Sequence, residues 1–448
     1  MSIGTGLAIA NSGLAAIEQQ LSVVSQNVAN ANTAGYSAET SSLTATSAQG
    51  IGTGVISGPA TQVVNTSMQA QLNASVGNQS FQQTTATVLA SIDQVMGTPG
   101  QGNDLNSLLG SVQSAFSTLL TDPSNVVQQS AVVTAAQNLT GQINAIAGAI
   151  GSAAQTASSG VAAGITSLNT SLAQVGTLNN QIISLAQQGK STADLKNQRD
   201  ALVQGIASLT GAKSIAQPSG AITLYTPSGQ QLPTNGTLRF SASGNPAVIT
   251  LGSQTVTSEF TAGSIGAGLQ LTGNTLPQLQ AGLDSFSQSL ANGFATAGLS
   301  LFTNSASAIP PSASGFSNVI TVNPSVVSNP ALIINGTPNN SNTNNAAGYT
   351  GVIENVLNTA LGGSTNSLAA QATNFTASEA AVSSNAQTAS TAANALTSAL
   401  TTQASTSSGV SIDQQMGMLV TLQNAYAANA KVVTIAQQMW AAEEAMIT

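Results

Sequence analysis

The chain has 448 residues, 14 acidic and 6 basic, with no histidine, no cysteine and a formal net charge of −8. At 4% charged residues, against about 25% in ordinary soluble domains, it lacks the imidazoles and thiolates of metal sites, disulfide frameworks and nucleophile–base catalysis. Six cations do not line a groove for a polyphosphate, so nucleic acid is excluded as a partner, and no cofactor, metal or catalytic residue is expected.

Hydrophobic residues make up 42%, much of it alanine, and aromatics only 3%, so cores should be thin aliphatic seams between helices. Solubility must rest on Ser, Thr, Asn and Gln, and nearly neutral surfaces can pack side by side without cancelling charge. The start, MSIGTGLAIANSGL, has no basic stretch before an apolar core, which argues against a cleaved secretory signal. No apolar run reaches the ~18 residues of a membrane span, so no membrane insertion is expected.

In the first 30 residues Ile3, Leu7, Ala10, Leu14, Ile17, Leu21, Val24 and Val28 alternate spacings of four and three, a heptad seam that calls for a partner helix. Gly4, Gly6 and Gly13 each cost such a helix about 1 kcal/mol relative to Ala, so it needs something to pack against. The run Asn27-Val28-Ala29-Asn30-Ala31-Asn32-Thr33-Ala34-Gly35-Tyr36-Ser37 reads as a helix exit. Asn and Gly tolerate left-handed angles between 32 and 35, and Tyr36 is placed to anchor a returning strand. Gly50 to Gly54 lacks the later glycine of a dinucleotide loop and the Lys-Ser/Thr of a P-loop, and reads as a tight turn.

A helical stretch follows from about 62 to 210, with breaks expected at 97–100, at 121–123 and across the Gly/Ser-rich 148–164. Its clearest seam is Ile165, Leu168, Leu172, Val175, Ile182 and Leu185. The charge cluster Lys190, Asp194, Lys196, Arg199, Asp200 and Lys213 reads as solvated helix pairs, Lys196 and Asp200 being four apart, rather than an anion site. The runs AITLYT, TLRFSA, AVITL and TVTSEF, separated by Pro-Ser-Gly, Thr-Asn-Gly and Gly-Asn-Pro turns, predict short strands over 215–260. Helix returns at 274–298, and 303–348 is loop-rich with a strand near 319–322. Helices then fill 350–361, 368–405 and 411–447.

In the last helix Ile412, Leu419, Tyr426, Val433 and Trp440 recur every seven residues, with Met416 and Ala430 between, and Ser411 is a suitable N-cap. Met418, Leu422, Ala425, Val432, Ala436 and Met439 form a second stripe; a helix apolar on two sides needs several neighbours. Trp440 reads as a heptad plug, and the adjacent Glu443 and Glu444 point apart and make no acid–base pair. The fold class expected is mainly α with an inserted β domain. Residues 1–36 and 409–448 form a terminal coiled-coil domain, 37–212 and 270–408 a helical bundle including the loop-rich 303–348, and 213–269 a small all-β outer domain.

Asn27, Asn30, Asn32, Thr33, Gly35 and Tyr36 together resemble the N-N-x-N-T-x-G-Y signature of bacterial flagellar rod, hook and hook-associated proteins. The segments Gly409–Met416 and Leu422–Val432, with Asn429, resemble the other end of the same family. Ala34 stands where many relatives have Pro, and Ala38 where an Arg commonly follows. Ile51–Val55 and Leu195–Leu202 resemble the first of the two hook–filament junction families. The resemblance implies terminal helices paired antiparallel as the inner layer of a tube, a surrounding helical domain and an outward β domain. It also implies unfolded export through the flagellar type III channel without a cleaved signal, and an extracellular place in the flagellum. Partners implied are further copies in a ring or tube, the hook protein, the second junction protein, and an export chaperone on Ile412 to Trp440. On this reading the assembly seam comprises Ile3, Leu7, Leu14, Ile17, Leu21, Val24, Val28, Ile412, Met416, Leu419, Tyr426, Val433 and Trp440. Alternatives are the second junction protein, a hook protein, or a secreted adhesin-like module.

Overall fold

A computed structural model describes residues 3–33, 35–48, 51–97, 100–241, 247–337, 350–362 and 367–447. Ala34, Gly50, Thr98, Pro99, the Gly-Asn-Pro turn at 244–246 and part of the loop-rich 303–348 lie outside them. The heptad stripe of the first residues forms α1, Ile3–Ala29, and the last periodic segment forms α12, Ile412–Ile447. The two helices pack against each other in antiparallel sense, with Asn27 beside Gln415 and Gly13 against Asn429.

After the helix exit, β1 (Glu39–Thr40) pairs antiparallel with β4 (Thr61–Gln62), and β2 (Leu43–Ala48) pairs with β3 (Ile51–Ser57). Gly50 to Gly54 is therefore not a simple turn. From Ile51 on it is strand, with an irregular register between Thr46 and Ser47. The Thr, Ser, Ala and Gly of these strands blur the apolar alternation that would have shown them. The hairpin lies on α1, where Val55 N donates to Ser12 Oγ at 3.1 Å. Gly54, at φ 143°, is required there, because a Cβ would stand 2.3 Å from Ser12 Oγ.

Four helices build the middle: α2 (Thr66–Met96), α3 (Leu105–Thr121), α4 (Val126–Gln187) and α5 (Ala193–Thr210). Asn65, Asp104 and Asn125 cap the first three, each side chain accepting from a first-turn amide. The expected breaks before α3 and α4 are present. The break expected at 148–164 is not, and α4 runs 62 residues, about 90 Å. Ile146, Ile150, Ala153, Ala157, Val161 and Ile165 keep a three- and four-residue spacing through that stretch, and their burial outweighs the glycine cost.

Strands β5 (Lys213–Ala216), β6 (Ile222–Tyr225) and β7 (Gln231–Leu232) form one antiparallel sheet. Strands β8 (Leu238–Ser241), β9 (Val248–Leu251) and β10 (Gln254–Thr255) form another. The expected run TVTSEF leaves the sheet at Thr255 and continues as a 3-10 turn, Thr257–Glu259. Ile222, Leu224, Leu238 and Ile249 share one core with Ile165, Leu168, Leu172, Val203 and Ile206, so the sheets are seated on the later half of α4 and on α5.

A continuous helical rod follows, α6 (Gly263–Gln270) and α7 (Leu276–Thr296) joined by a π turn. Then β11 (Phe302–Thr303) pairs with β12 (Thr321–Val322), and the short helices α8 (Pro324–Ser328), α9 (Leu332–Asn335) and α10 (Gly351–Asn355) lead to α11, Leu368–Ser408. The described part of the loop-rich segment is not a surface excursion, because Phe302, Phe316, Ile320, Val322 and Val326 enter the largest core. There Phe294 meets Phe302 edge-on at 4.8 Å and Phe116 at 5.8 Å, a rare aromatic knot in a chain with few rings.

Candidate functional site

Asn27, Tyr36 and Asn197 converge where α1, β1, α5, α11 and α12 meet. Asn27, almost fully buried, uses every polar atom of its side chain. Its Oδ1 accepts from Glu39 N (2.8 Å) and Tyr36 OH (3.2 Å), and its Nδ2 donates to Glu39 O (2.8 Å) and Gln415 Oε1 (3.2 Å). One amide thus fastens the end of α1 to the returning strand and to α12. Asn197, on α5, grips the same strand from the other side. It accepts from Ser37 N (3.0 Å) and Gln62 Nε2 (2.7 Å) and donates to Ser37 O and Glu39 Oε1 (both 3.1 Å). The turn is built as the residue types require: Thr33 N donates to Asn30 O, Tyr36 N to Thr33 O, and Gly35 takes φ +77°. Ala38 is held by its backbone, its N donating to Ser408 O at 2.8 Å and its O accepting from Val63 N.

This node is electrostatically tight. Burial, then the nearby charges of Glu39 and Asp194, pushes the Tyr36 hydroxyl up to about 12. Burial also raises the Glu39 carboxyl, and the Asn197 hydrogen bond only partly offsets it. The charge cluster of α5 is not a set of solvated pairs. Arg199 is buried, donates through Nη1 to Gly220 O at 2.8 Å and Asn179 Oδ1 at 3.3 Å, and is held below its usual range by desolvation. Asp200 is raised by burial while accepting from Gln62 Nε2 at 2.9 Å. A cleft of about 380 Å³ opens beside the node, with Asn32, Thr33, Tyr36, Gln69, Asp200 and Gly409 in its walls. The contacts here fasten one chain segment to another, and among the described residues no group of three or more acidic side chains is placed to hold a metal.

The seam between α1 and α12 is narrow. Ile17, Val24 and Leu422 are buried, with Leu21, Val28, Leu419 and Ala425 packed on them. Of the other expected seam residues, Ile3, Leu7, Leu14 and Val433 are half-buried, whereas Ile412, Met416, Tyr426 and Trp440 are exposed, Trp440 at 56%. The face of α12 turned to α1 runs Gln415, Leu419, Leu422, Ala425, Asn429, Val433, so it takes members from both apolar stripes and two polar residues besides. Asn429 belongs to it because Gly13 leaves room: a Cβ there would stand 3.3 Å from Asn429 Oδ1. The expected seam leaves out Leu422, which sits in the second apolar stripe, and Gln415, which belongs to neither stripe. The signal was available as the three- and four-residue spacing that runs through polar positions. Ser411 does cap α12, accepting from Gln414 N at 3.4 Å.

Three family matches follow the same order along the chain. Residues 7–36 match "Flagella basal body rod protein", 89–300 match "Flagellar hook-associated protein FlgK helical domain", and 401–443 match "Flagellar basal body rod FlgEFG protein C-terminal". All three are models of flagellar axial proteins. The helical middle of this chain is similar to that of flagellar hook-associated protein 1. Flagellar hook-associated protein 1 of Salmonella typhimurium is 28% identical over 240 residues, which are 51% of this chain and 42% of that protein. The protein of the same name from Bacillus subtilis is 25% identical over 236 residues, 50% of this chain and 46% of that one. The structure of the flagellar hook junction protein FlgK from Burkholderia pseudomallei aligns with a TM-score of 0.46 at 22% identity, over 53% of this chain and 45% of that one. The chain thus spans less than half the length of the curated relatives it matches. No helix among the described residues is long and apolar enough to cross a membrane.

Proposed function

We propose that this chain is a structural adaptor between the flagellar hook and filament, whose copies assemble as a ring at the distal hook end through α1 and α12. The observation that carries the reading is the state of α12. One chain covers a single face of that helix, and Ile412, Met416, Met418, Val432, Met439 and Trp440 stay open around the rest. Burying each such side chain against a neighbour is worth about 1.5–3 kcal/mol, and a ring repeats the gain at every subunit. Low charge favours the same outcome, since neighbouring copies repel little. The job is mechanical, with no chemical step. The partners are the hook protein below, the second junction protein above and further copies at the sides. The same open helix would be shielded by an export chaperone before type III passage to the cell exterior.

The test is removal of residues 412–448. The shortened chain should keep its helical circular dichroism and cooperative unfolding yet fail to cap isolated hooks in negative-stain images, where the full chain leaves a thin distal cap. Capping by the shortened chain would overturn the proposal, and continued hook growth with the full chain would point to a hook protein instead.

A further inference from the structure

Helices α2 and α11 lie antiparallel along a seam that is unusually polar. Ser75 bonds Thr397 (2.8 Å), Gln79 Nε2 donates to Asn394 Oδ1 (2.8 Å), and Ser390 Oγ donates to Gln83 Oε1 (2.9 Å). The 31 residues of α2 contain one ionisable side chain, Asp93, and the 41 residues of α11 contain one, Glu379. The fold sets these two acids against each other. Ser383 Oγ donates to Asp93 Oδ2, the Glu379 carboxyl lies within hydrogen-bonding reach of Asp93, and Glu379 is only 2% exposed with its Oε1 unpartnered.

No counter-charge is at hand. Helices α3 and α4 carry no ionisable residue, and the six cations, Lys190, Lys196, Arg199, Lys213, Arg239 and Lys431, all lie outside α2, α3, α4, α7 and α11. On α7, Asp284 is occupied by Gly315 N, Ser317 N and Ser317 Oγ, and Asp104 at the start of α3 by Gly100 N and Ser107. Glu354 is on α10, which packs against α3. Helix α5, with Asp194, Lys196, Arg199 and Asp200, meets α2 at Gly77, about 24 Å along the helix from Asp93. A buried Glu379 beside a half-buried Asp93, with no cation near, is costly to ionise.

We propose that Glu379 keeps a proton that it donates to Asp93, and that this contact is a proton-operated latch between α2 and α11. With the proton present, Glu379 donates to Asp93 and the ladder of polar contacts is continuous. On its loss the buried Glu379 carries a negative charge facing Asp93, and the start of α11 parts from α2. Helix α11 runs on through Gly409 into α12, so the latch fixes the bundle end of the rod that carries the open helix. The proposal does not rest on the flagellar reading.

The sign of the pH dependence follows from burial first and Asp93 second, which push Glu379 from an ordinary 4.5 up to about 8. The folded seam holds its proton more tightly than the opened one. The opening equilibrium should therefore rise about tenfold per pH unit from 4.5 to about 8 and flatten above that. With no histidine or cysteine in the chain, few other groups titrate near the upper end of that window, and Glu39 and Asp200 lie in the separate node around Asn197.

The experiment is hydrogen exchange of the full chain, expressed as protection factors for amides near 379–386 and 89–96, from pH 5 to 9.5. The wild type should lose protection about tenfold per unit and then level off. Glu379→Gln, whose neutral amide donates to Asp93 at any pH, should show no slope. The infrared carbonyl band of a protonated carboxyl should persist at pH 7 in the wild type and be weaker in Glu379→Gln, which keeps the test decisive if exchange in that variant is too fast to follow. A flat wild-type profile, an unchanged slope or unchanged band in Glu379→Gln, or protection restored at pH 9 by millimolar calcium would overturn the latch, the last in favour of a cation site.

Discussion

The helical bundle and the paired ends are built from the same alanine-rich alphabet and reach opposite states. In the bundle, one chain closes its own core: Phe116, Phe294, Phe302, Leu139 and Ile143 are sealed by α3, α4, α7 and the segment that follows. At the ends, a helix of 27 residues and one of 36 share a buried apolar cluster of just Ile17, Val24 and Leu422 among the described residues. Two helices share one face each, and a helix apolar on more than one face needs further neighbours. Closure within one chain therefore depends here on the number of surrounding elements rather than on composition.

Mutations that empty each region sharpen this contrast. Phe294→Ala removes the ring between Phe116 and Phe302 and should cost about 3–5 kcal/mol, read as a lower midpoint in urea for the whole bundle. A loss below about 1 kcal/mol would mean that the bundle core is loosely packed. Asn27→Ala leaves the Glu39 amide and carbonyl, the Tyr36 hydroxyl and Gln415 without their shared partner. About 2–3 kcal/mol is expected, confined to the end of α1, so hydrogen exchange should speed up over 17–29 and 39–40 while α3 and α4 amides stay protected. Equal acceleration everywhere would show that ends and bundle open together. Leu422→Ala, at a seam with open flanks, should cost about 2 kcal/mol, the low end for a buried leucine, and leave the bundle midpoint in place.

Much of the outline could be read from spacing and turn chemistry: α1, α12, the breaks before α3 and α4, and the strands of 213–255. Three features could not. The hairpin of β2 and β3 hides in Thr, Ser, Ala and Gly, residues that pack on α1 through backbone and hydroxyl rather than through an apolar face. The unbroken α4 passes a stretch where local propensity says stop, because burial of Ala153, Ala157 and Val161 against other elements decides. The node around Asn27 and Asn197 joins residues 170 positions apart, and local sequence rules do not foresee which amide receives which strand. Arg199 is the same lesson in charge: its place in the α5 cluster suggests a solvated side chain, while the turn at Gly220 supplies a carbonyl to the buried guanidinium instead.

The smallest stability effect carries the most about the ends. Trp440 is the largest apolar side chain on the open face of α12 and touches no core of its own chain, so Trp440→Ala should change the unfolding midpoint by less than about 0.5 kcal/mol. Its weight is expected between copies. A tryptophan buried at an interface is worth several kcal/mol, and a ring multiplies the loss at each contact. Sedimentation of the variant with isolated hooks should then show no co-pelleting at concentrations where the wild type is retained, with circular dichroism unchanged. Were Trp440→Ala instead to unfold the free chain while hook binding per folded molecule stayed normal, α12 would be sealed within one subunit in solution, and the contrast between closed bundle and open ends would fail at its sharpest residue.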